Sequence, residues 1–190
     1  QVFGFLNKQF DEVGWFYCSG SSDEIDRYVS YNYAENAWAY GQLRRYAWLD
    51  SGVEAYPRAT DNGFLYEHET GFDDDGTPMT NVFVESSDFD IGDGEQFAFI
   101  NRMIPDIRFL SNASGGKVNI VLKTRNFPGD SLTTNSTTPI NSTTQQSHVR
   151  ARARQAVVRV ESDDDDTDAN TSTGWRLGAT RLDVRADGRR

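Results

Sequence analysis

Hydrophobic and polar residues alternate along most of this chain, and β-branched and aromatic residues recur between clusters of Gly, Asn, Asp and Ser. Alternation at period two is typical of half-buried β-strands. Four such segments, at residues 2–7, 15–19, 26–33 and 37–41, follow one another through short connections. The pattern predicts a four-stranded antiparallel meander over residues 2–41, which has the size and aromatic content of one β-propeller blade.

The pattern changes farther along the chain. A less regular run of short strands covers residues 45–86, and longer strands are expected at 96–103, 107–110 and 117–125. Long alternating strands of this kind are typical of a β-sandwich. We therefore predict an all-β protein without helices, in which residues 1–80 form the terminal blade or blades of a β-propeller and residues 81–190 form a β-sandwich-like domain.

Two features of the second half carry local predictions. Residues 131–147 hold almost only Ser, Thr, Asn and Gln, so we expect a disordered or flexible loop there. Segments 149–152 and 155–160 are expected to be strands that flank a tight turn, and a last strand pair is expected at 175–177 and 181–185.

Length and composition allow a substantial folded core. The chain has 190 residues, of which 37% are hydrophobic and 13% aromatic, and this excludes global disorder. No apolar run approaches the roughly 18 residues that a membrane-spanning helix needs, so we expect no membrane association. The chain opens at Gln1 inside an apolar strand. Because one blade cannot bury both of its faces, we expect this chain to be the C-terminal piece of a longer polypeptide.

Acidic charge dominates, but it is unevenly distributed. The formal net charge is −10, which disfavours generic binding to nucleic acid. Residues 149–190 nevertheless carry nine Arg against eight acidic residues, a net charge of +1 that leaves −11 for residues 1–148. Arg150, Arg152 and Arg154 fall at period two there. They predict a cationic stripe that contacts either an acidic neighbouring subunit or DNA phosphate, and the charge split favours the subunit. The alternative is a stripe that faces solvent beside the acid run at 163–168.

The sequence gives only weak evidence for metal-binding or catalytic residues. Asp88, Asp90 and Asp93 bring oxygen ligands and glycines together, as calcium loops do, but they lack the spacing of an EF-hand loop. His68 and His148 have no partner at metal-site spacing, so His68 is expected to be an edge-strand histidine beside acidic neighbours. We predict no cofactor and no catalytic residues.

Several segments together resemble one protein family. They lie at residues 15–22 (WFYCSGSS), 26–29 (DRYV), 31–33 (YNY), 66–76 (YEHETGFDDDG), 85–94 (ESSDFDIGDG), 125–129 (RNFPG), 175–178 (WRLG) and 181–190 (RLDVRADGRR). In this order, and over most of the chain, they resemble the C-terminal half of the tail hub or nozzle proteins of short-tailed phages and related prophages, often called packaged-DNA stabilisation proteins. The acid run and the Ser/Thr-rich tract depart from that pattern.

The resemblance implies a virion structural protein that is not an enzyme. It implies a β-propeller with an appended β-rich domain, assembled in the host cytoplasm as a hexameric ring of the virion tail below the portal and adaptor rings. Such a ring closes and extends the DNA exit channel and anchors tail fibres or spikes. Viral DNA would pass through transiently, and because carboxylates repel phosphate we expect channel-facing residues to be acidic or neutral overall.

Two other hypotheses stay open. A carbohydrate-binding or glycoside-hydrolysing β-propeller fragment would form a closed structure that is stable alone, and residues 60–64 partly resemble the Asp-box turn of sialidases, although Asp-Asn-Gly is a common hairpin turn. A host-encoded extracellular β-rich domain would carry glycans at Asn112, Asn135, Asn141 or Asn170, each in an Asn-X-Ser/Thr motif. Ring formation would distinguish the tail nozzle hypothesis from the carbohydrate-handling fragment, and glycans would indicate the extracellular domain.

Overall fold

The computed structural model describes residues 1–91, 94–110, 116–163 and 174–189, and in those ranges it contains β-strands and one short 3-10 turn but no α-helix. The predicted all-β class is therefore confirmed. The chain divides into two compact units, Gln1–Gly71 and Phe72–Arg190. No helix in the described part of the chain is long and apolar enough to cross a membrane.

The first unit contains two antiparallel sheets. Its strands are β1 (Val2–Asn7), β2 (Glu12–Tyr17), β3 (Arg27–Asn32), β4 (Ala37–Gly41), β5 (Ala47–Leu49), β6 (Arg58–Asp61) and β7 (Phe64–Glu67). The first four strands form one sheet in the order β1-β2-β3-β4, which confirms the predicted antiparallel meander. The other three form a sheet in which Asn62 and Gly63, with φ of 47° and 85°, make the β6–β7 turn.

Aromatic packing holds the first unit together. Phe16 is 1% exposed, and its ring centroid lies 4.6 Å from that of Phe5 and 6.1 Å from that of Trp48 on β5. The indole nitrogen of Trp48 donates a hydrogen bond to the carbonyl oxygen of Leu6 at 2.8 Å. Trp48 therefore ties the three-stranded sheet to one face of the four-stranded sheet.

The second unit contains twelve further strands. They are β8 (Asp73–Asp74), β9 (Thr77–Pro78), β10 (Phe83–Glu85), β11 (Phe89–Asp90), β12 (Ala98–Ile104), β13 (Ile107–Phe109), β14 (Val118–Arg125), β15 (Thr133–Ile140), β16 (Ser147–Ala153), β17 (Gln155–Ser162), β18 (Trp175–Leu177) and β19 (Arg181–Ala186). The larger sheet runs β10-β17-β14-β15, with β11 also paired to β17; a second sheet runs β16-β12-β19, and β13 pairs with β18. All of these pairs are antiparallel, and β8 and β9 form a separate hairpin.

One hydrophobic core joins these sheets. The alternating pattern of β14 buries Val118, Ile120 and Leu122, each with 0% exposure, and β12 contributes Ile100 and Met103 to the same cluster. Trp175 and Leu177 of β18 pack against this cluster too, as do Ile107 and Phe109 of β13. The larger sheet and the smaller sheets therefore cover one core. None of the sheets formed by described residues closes on itself.

The Ser/Thr-rich tract differs from its prediction as a loop. Within residues 131–147 the structure has β15, an eight-residue strand paired in antiparallel register with β14. Thr is β-branched and suits a strand, and an edge strand can stay mostly polar because backbone hydrogen bonds attach it to its neighbour. Ile140, at 1% exposure, joins the tract to the hydrophobic core.

Strands flank the turn between residues 152 and 155, as predicted, but the turn links two different sheets. Strands β16 and β17 do not pair with each other; β16 pairs with β12, and β17 pairs with β14. A bend at Arg154 transfers the chain from one sheet to the other. Both strands alternate, so periodicity alone could not reveal which sheet each one joins.

Candidate interaction surfaces

The four-stranded sheet of the first unit is apolar on both faces. Successive side chains of a strand point to opposite sides, so the residues that alternate with buried Phe16 lie on the outer side. The register places Trp15 opposite Val29, and Val29 opposite Tyr40. This side carries Gly4 and, opposite Tyr17 at the start of β3, the charged Arg27. We define the apolar face as its apolar side chains: Val2, Leu6, Val13, Trp15, Tyr17, Val29, Tyr31, Trp38 and Tyr40.

Much of this apolar face is open to solvent. Val2, Trp38 and Tyr40 are 72%, 65% and 73% exposed. The Tyr31 and Trp38 rings pack against each other on this face, 4.7 Å apart between centroids and tilted by 37°. Contiguous exposed apolar area across four strands is characteristic of a protein interface.

The predicted cationic stripe is partly formed. Arg150 and Arg152 are exposed on the same side of β16, whose buried positions alternate with them. Arg154 lies past the end of β16, and its guanidinium donates hydrogen bonds to the carbonyl oxygens of Gly94, at 3.4 Å, and Arg189, at 3.3 Å. Arg154 therefore contacts local backbone instead of extending the stripe.

Neighbouring strands extend the stripe into a broad surface. We define the arginine face as the solvent side of β16, β12 and β19 and of the β13–β18 pair, opposite the shared core. Its basic residues are Arg102, Arg108, Arg150, Arg152, Arg176, Arg181 and Arg185. Its acidic residues are Asp183 and Asp187, with Asp106 in the connection between β12 and β13.

Only two of these arginines form ion pairs among the described residues. Arg102 lies 3.4 Å from Asp183, and Arg152 lies 2.6 Å from Asp187. The guanidinium of Arg185 lies 4.7 Å from the centre of the Phe99 ring, a cation–π contact. The face therefore carries a local positive charge on a molecule whose net charge is −10.

Arg108 and Arg176 form the most unusual pair on this face. They are directly opposite each other in the antiparallel β13–β18 register, and both are exposed. Side chains at such positions start about 5 Å apart, so two like charges there destabilise the pairing. An anion lying between the two guanidinium groups would remove that repulsion.

Two of the three metal candidates, Asp88 and Asp90, lie within the described residues. The Asp88 carboxylate forms an ion pair with Arg125. Asp93 lies outside the described residues. Nowhere in the described ranges do three or more His, Cys, Asp or Glu side chains gather as a metal site would require. His68 accepts a hydrogen bond at Nε2 from Nε of buried Arg45, at 2.8 Å, and its ring lies 4.9 Å from that of Trp48.

A carboxyl pair in the first unit was not predicted from the sequence. The Nδ2 of buried Asn7 donates a 2.9 Å hydrogen bond to Oε1 of Glu69, and although Glu69 as a residue is exposed, burial of its carboxyl raises its pKa. The pKa of Glu12 is raised as well, mainly by burial and to a smaller extent by the negative charge of Glu69. Burial also raises the pKa of the Tyr28 phenol. No spacing rule connects Glu12 and Glu69, because only the fold brings them together.

Other predicted positions have simple surroundings. His148 is exposed on β16, and its backbone lies opposite Arg102. Asn135 is exposed on β15, and the Asn141 side chain accepts a hydrogen bond from the backbone N–H of Thr143 at 3.0 Å. Asn112 and Asn170, and the acid run from residue 164 onward, lie outside the described residues.

The sequence contained part of the signal for the arginine face. Period two along β16 identified Arg150 and Arg152, but the contributions of β12, β13, β18 and β19 depend on long-range pairing. Comparison with known proteins adds no family assignment: no protein-family model matches the chain. A search of curated proteins also found no match.

Proposed function

We propose that this chain is a virion structural protein, part of the tail nozzle or hub ring below the portal and adaptor rings of a short-tailed phage. In this role it closes and extends the DNA exit channel and anchors tail fibres or spikes. The finer architecture belongs to the same proposal: the first unit is propeller-derived, and the second is a β-sandwich-like domain.

The observation that carries the proposal is the apolar face. A sheet that is apolar on both sides is an inner layer, because leaving one side in water exposes a large hydrophobic area. Propeller blades are such layers, and so are sheets at subunit interfaces. Trp38 and Tyr40, on the edge strand β4, would be central anchors of that contact.

Two further features agree with the proposal. The sequence segments between residues 15 and 190 that resemble the tail nozzle family occur in the same order as in that family and cover most of the chain. A net charge of −10 suits a conduit, because a carboxylate-rich lumen does not retain DNA through counterion release.

The test compares the assembly of matched variants. The purified chain should form oligomers in native mass spectrometry and rings in electron micrographs, and an antibody against it should label one vertex of the source particles. Trp38→Ser with Tyr40→Ser should reduce oligomer formation. Phe64→Ser with Leu65→Ser, which removes exposed apolar side chains from β7, is the control and should leave assembly unchanged. A chain that is monomeric at every concentration and absent from particles would overturn the proposal.

The carbohydrate-handling alternative rests on the carboxyl pair. Glycosidases use two carboxyl groups, one of which has a raised pKa and acts as a general acid. Glu12 and Glu69 have raised pKa values, and Tyr28 lies within electrostatic reach of both. Turnover of an oligosaccharide by the wild-type chain, abolished in Glu69→Gln, would support this alternative over the structural role.

A further inference from the structure

We propose that the arginine face of one copy binds the acidic end of the first unit of a second copy. We define the acidic end as Asp11, Glu35 and Asp50, with the partly buried carboxyls of Glu12 and Glu69 adding negative charge nearby. This inference rests on the proposed ring assembly and names one of the surfaces through which copies meet.

The arginine face has the composition of a protein interface. Its cations are all arginine, the basic residue enriched at interfaces and the one best suited to bidentate pairing with carboxylates. Arg108, Arg150, Arg176 and Arg181 are exposed, and none of them forms an ion pair with another described residue. The Arg108–Arg176 pair supplies an independent reason to expect an anion, because an anion between the two guanidinium groups would relieve their repulsion.

A carboxylate surface fits this face better than nucleic acid does. Asp183 lies between Arg181 and Arg185 on β19, and Asp187 follows shortly after. A phosphate backbone offers no cation to these carboxylates, whereas the acidic end includes Lys8 beside Asp50, and mixed charges in protein interfaces fix the register.

The first unit supplies the complementary charge. Residues 1–71 hold eleven acidic and five basic residues, a net charge of −6. In a meander the β1–β2 and β3–β4 connections lie at the same end of the sheet, so Asp11 and Glu35 are neighbours there. Tyr33 links this end together, because its backbone N–H and its hydroxyl both donate to Asp11 at 3.0 Å.

Cations are scarce at this end of the unit. Lys8, 3.6 Å from Asp50, is the basic residue that neighbours it. At the opposite end, carboxylates already face arginines, as Asp26 faces Arg27 at 3.2 Å and Glu24 faces Arg44 at 3.8 Å. The acidic end is therefore the part of the first unit with most uncompensated negative charge.

Sedimentation velocity of the full chain over a range of concentrations tests this interface. Arg108→Gln with Arg176→Gln should weaken self-association by about tenfold. Thr133→Glu with Thr137→Glu changes the net charge by the same amount on the exposed edge strand β15 and should have a much smaller effect. Dependence on concentration separates binding to a second copy from pairing within one chain.

A charge swap tests the partner surface. Asp11→Arg with Glu35→Arg should weaken self-association too, and mixing this variant with Arg108→Glu plus Arg176→Glu should restore it. Circular dichroism checks that each variant keeps its β-sheet spectrum. Absence of rescue on mixing would overturn the acidic end as the partner.

The remaining outcomes separate this inference from the proposed function. Rings that assemble equally well with and without Arg108 and Arg176 would overturn the inference and leave the proposed function standing. A wild-type chain that never associates would overturn both. Binding of a fluorescent DNA duplex that depends on these arginines, with self-association unaffected, would assign the face to nucleic acid and overturn the inference.

Discussion

At the scale of single residues, Glu69 links stability to pH. Burial raises the pKa of its carboxyl, so the folded chain holds this proton more tightly than the unfolded chain, whose ordinary value is 4.5. Unfolding then releases protons, and stability falls as pH rises from about 4.5 through the raised folded pKa. Above the folded pKa, Glu69 is charged in both the folded and the unfolded chain, and the cost of burying that charge lowers the free energy of unfolding in full.

Glu69→Gln should remove this penalty. The amide keeps an oxygen that can accept the hydrogen bond from Asn7. We expect a higher melting temperature than wild type at pH 7 and little or no gain at pH 4, measured by thermal unfolding across that range. Glu35→Gln at the exposed β3–β4 turn is the control. A Glu69→Gln gain of equal size at both pH values would contradict the link to burial.

At the scale of the strand pair, Gly14 fixes how β1 lies on β2. Phe5 is directly opposite Gly14, and a Cβ added there would lie 2.3 Å from Cζ of Phe5 and 2.8 Å from the carbonyl oxygen of Val29. The ring therefore occupies the space that a side chain would take. Gly4, on the outer side of the same pair, has no atom closer than 3.8 Å.

This contrast predicts opposite results for two alanine variants. Gly14→Ala should lose about 1–3 kcal/mol of unfolding free energy through overpacking. Gly4→Ala should be neutral or slightly stabilising, since the unfolded chain loses freedom and no contact is strained. Urea denaturation of the two variants measures both changes. Equal stability in the two variants would show that Phe5 moves aside at no cost.

Also at the element scale, the sequence predicted strands better than their partners. The bounds of β1 and β4 coincide with the predictions, because alternation and turn residues are local signals. The β15 tract was missed because its polar side chains give no apolar alternation, although backbone pairing with β14 needs none. The apolar face could be anticipated from alternating aromatics, whereas the Arg108–Arg176 and Glu12–Glu69 pairs depend on contacts distant in sequence.

At the scale of the whole molecule, the two proposed contact surfaces should respond oppositely to salt. The apolar face buries hydrophobic area, which screening does not weaken, and salt also reduces the repulsion between copies that each carry −10. Contacts of the arginine face are electrostatic and exposed, so they weaken as the Debye length falls from about 10 Å at 0.1 M to about 3 Å at 1 M.

Sedimentation at about 0.1 M and about 1 M NaCl therefore shows whether the apolar face or the arginine face carries the self-association. At low salt, Arg108→Gln with Arg176→Gln should reduce association. At high salt that variant should match wild type, because the electrostatic contribution is already screened, while Trp38→Ser with Tyr40→Ser should remove most of what remains. If the arginine variant lost association equally at both salt concentrations, those side chains would act through packing instead of charge, since aliphatic stems and planar guanidinium groups also bury surface.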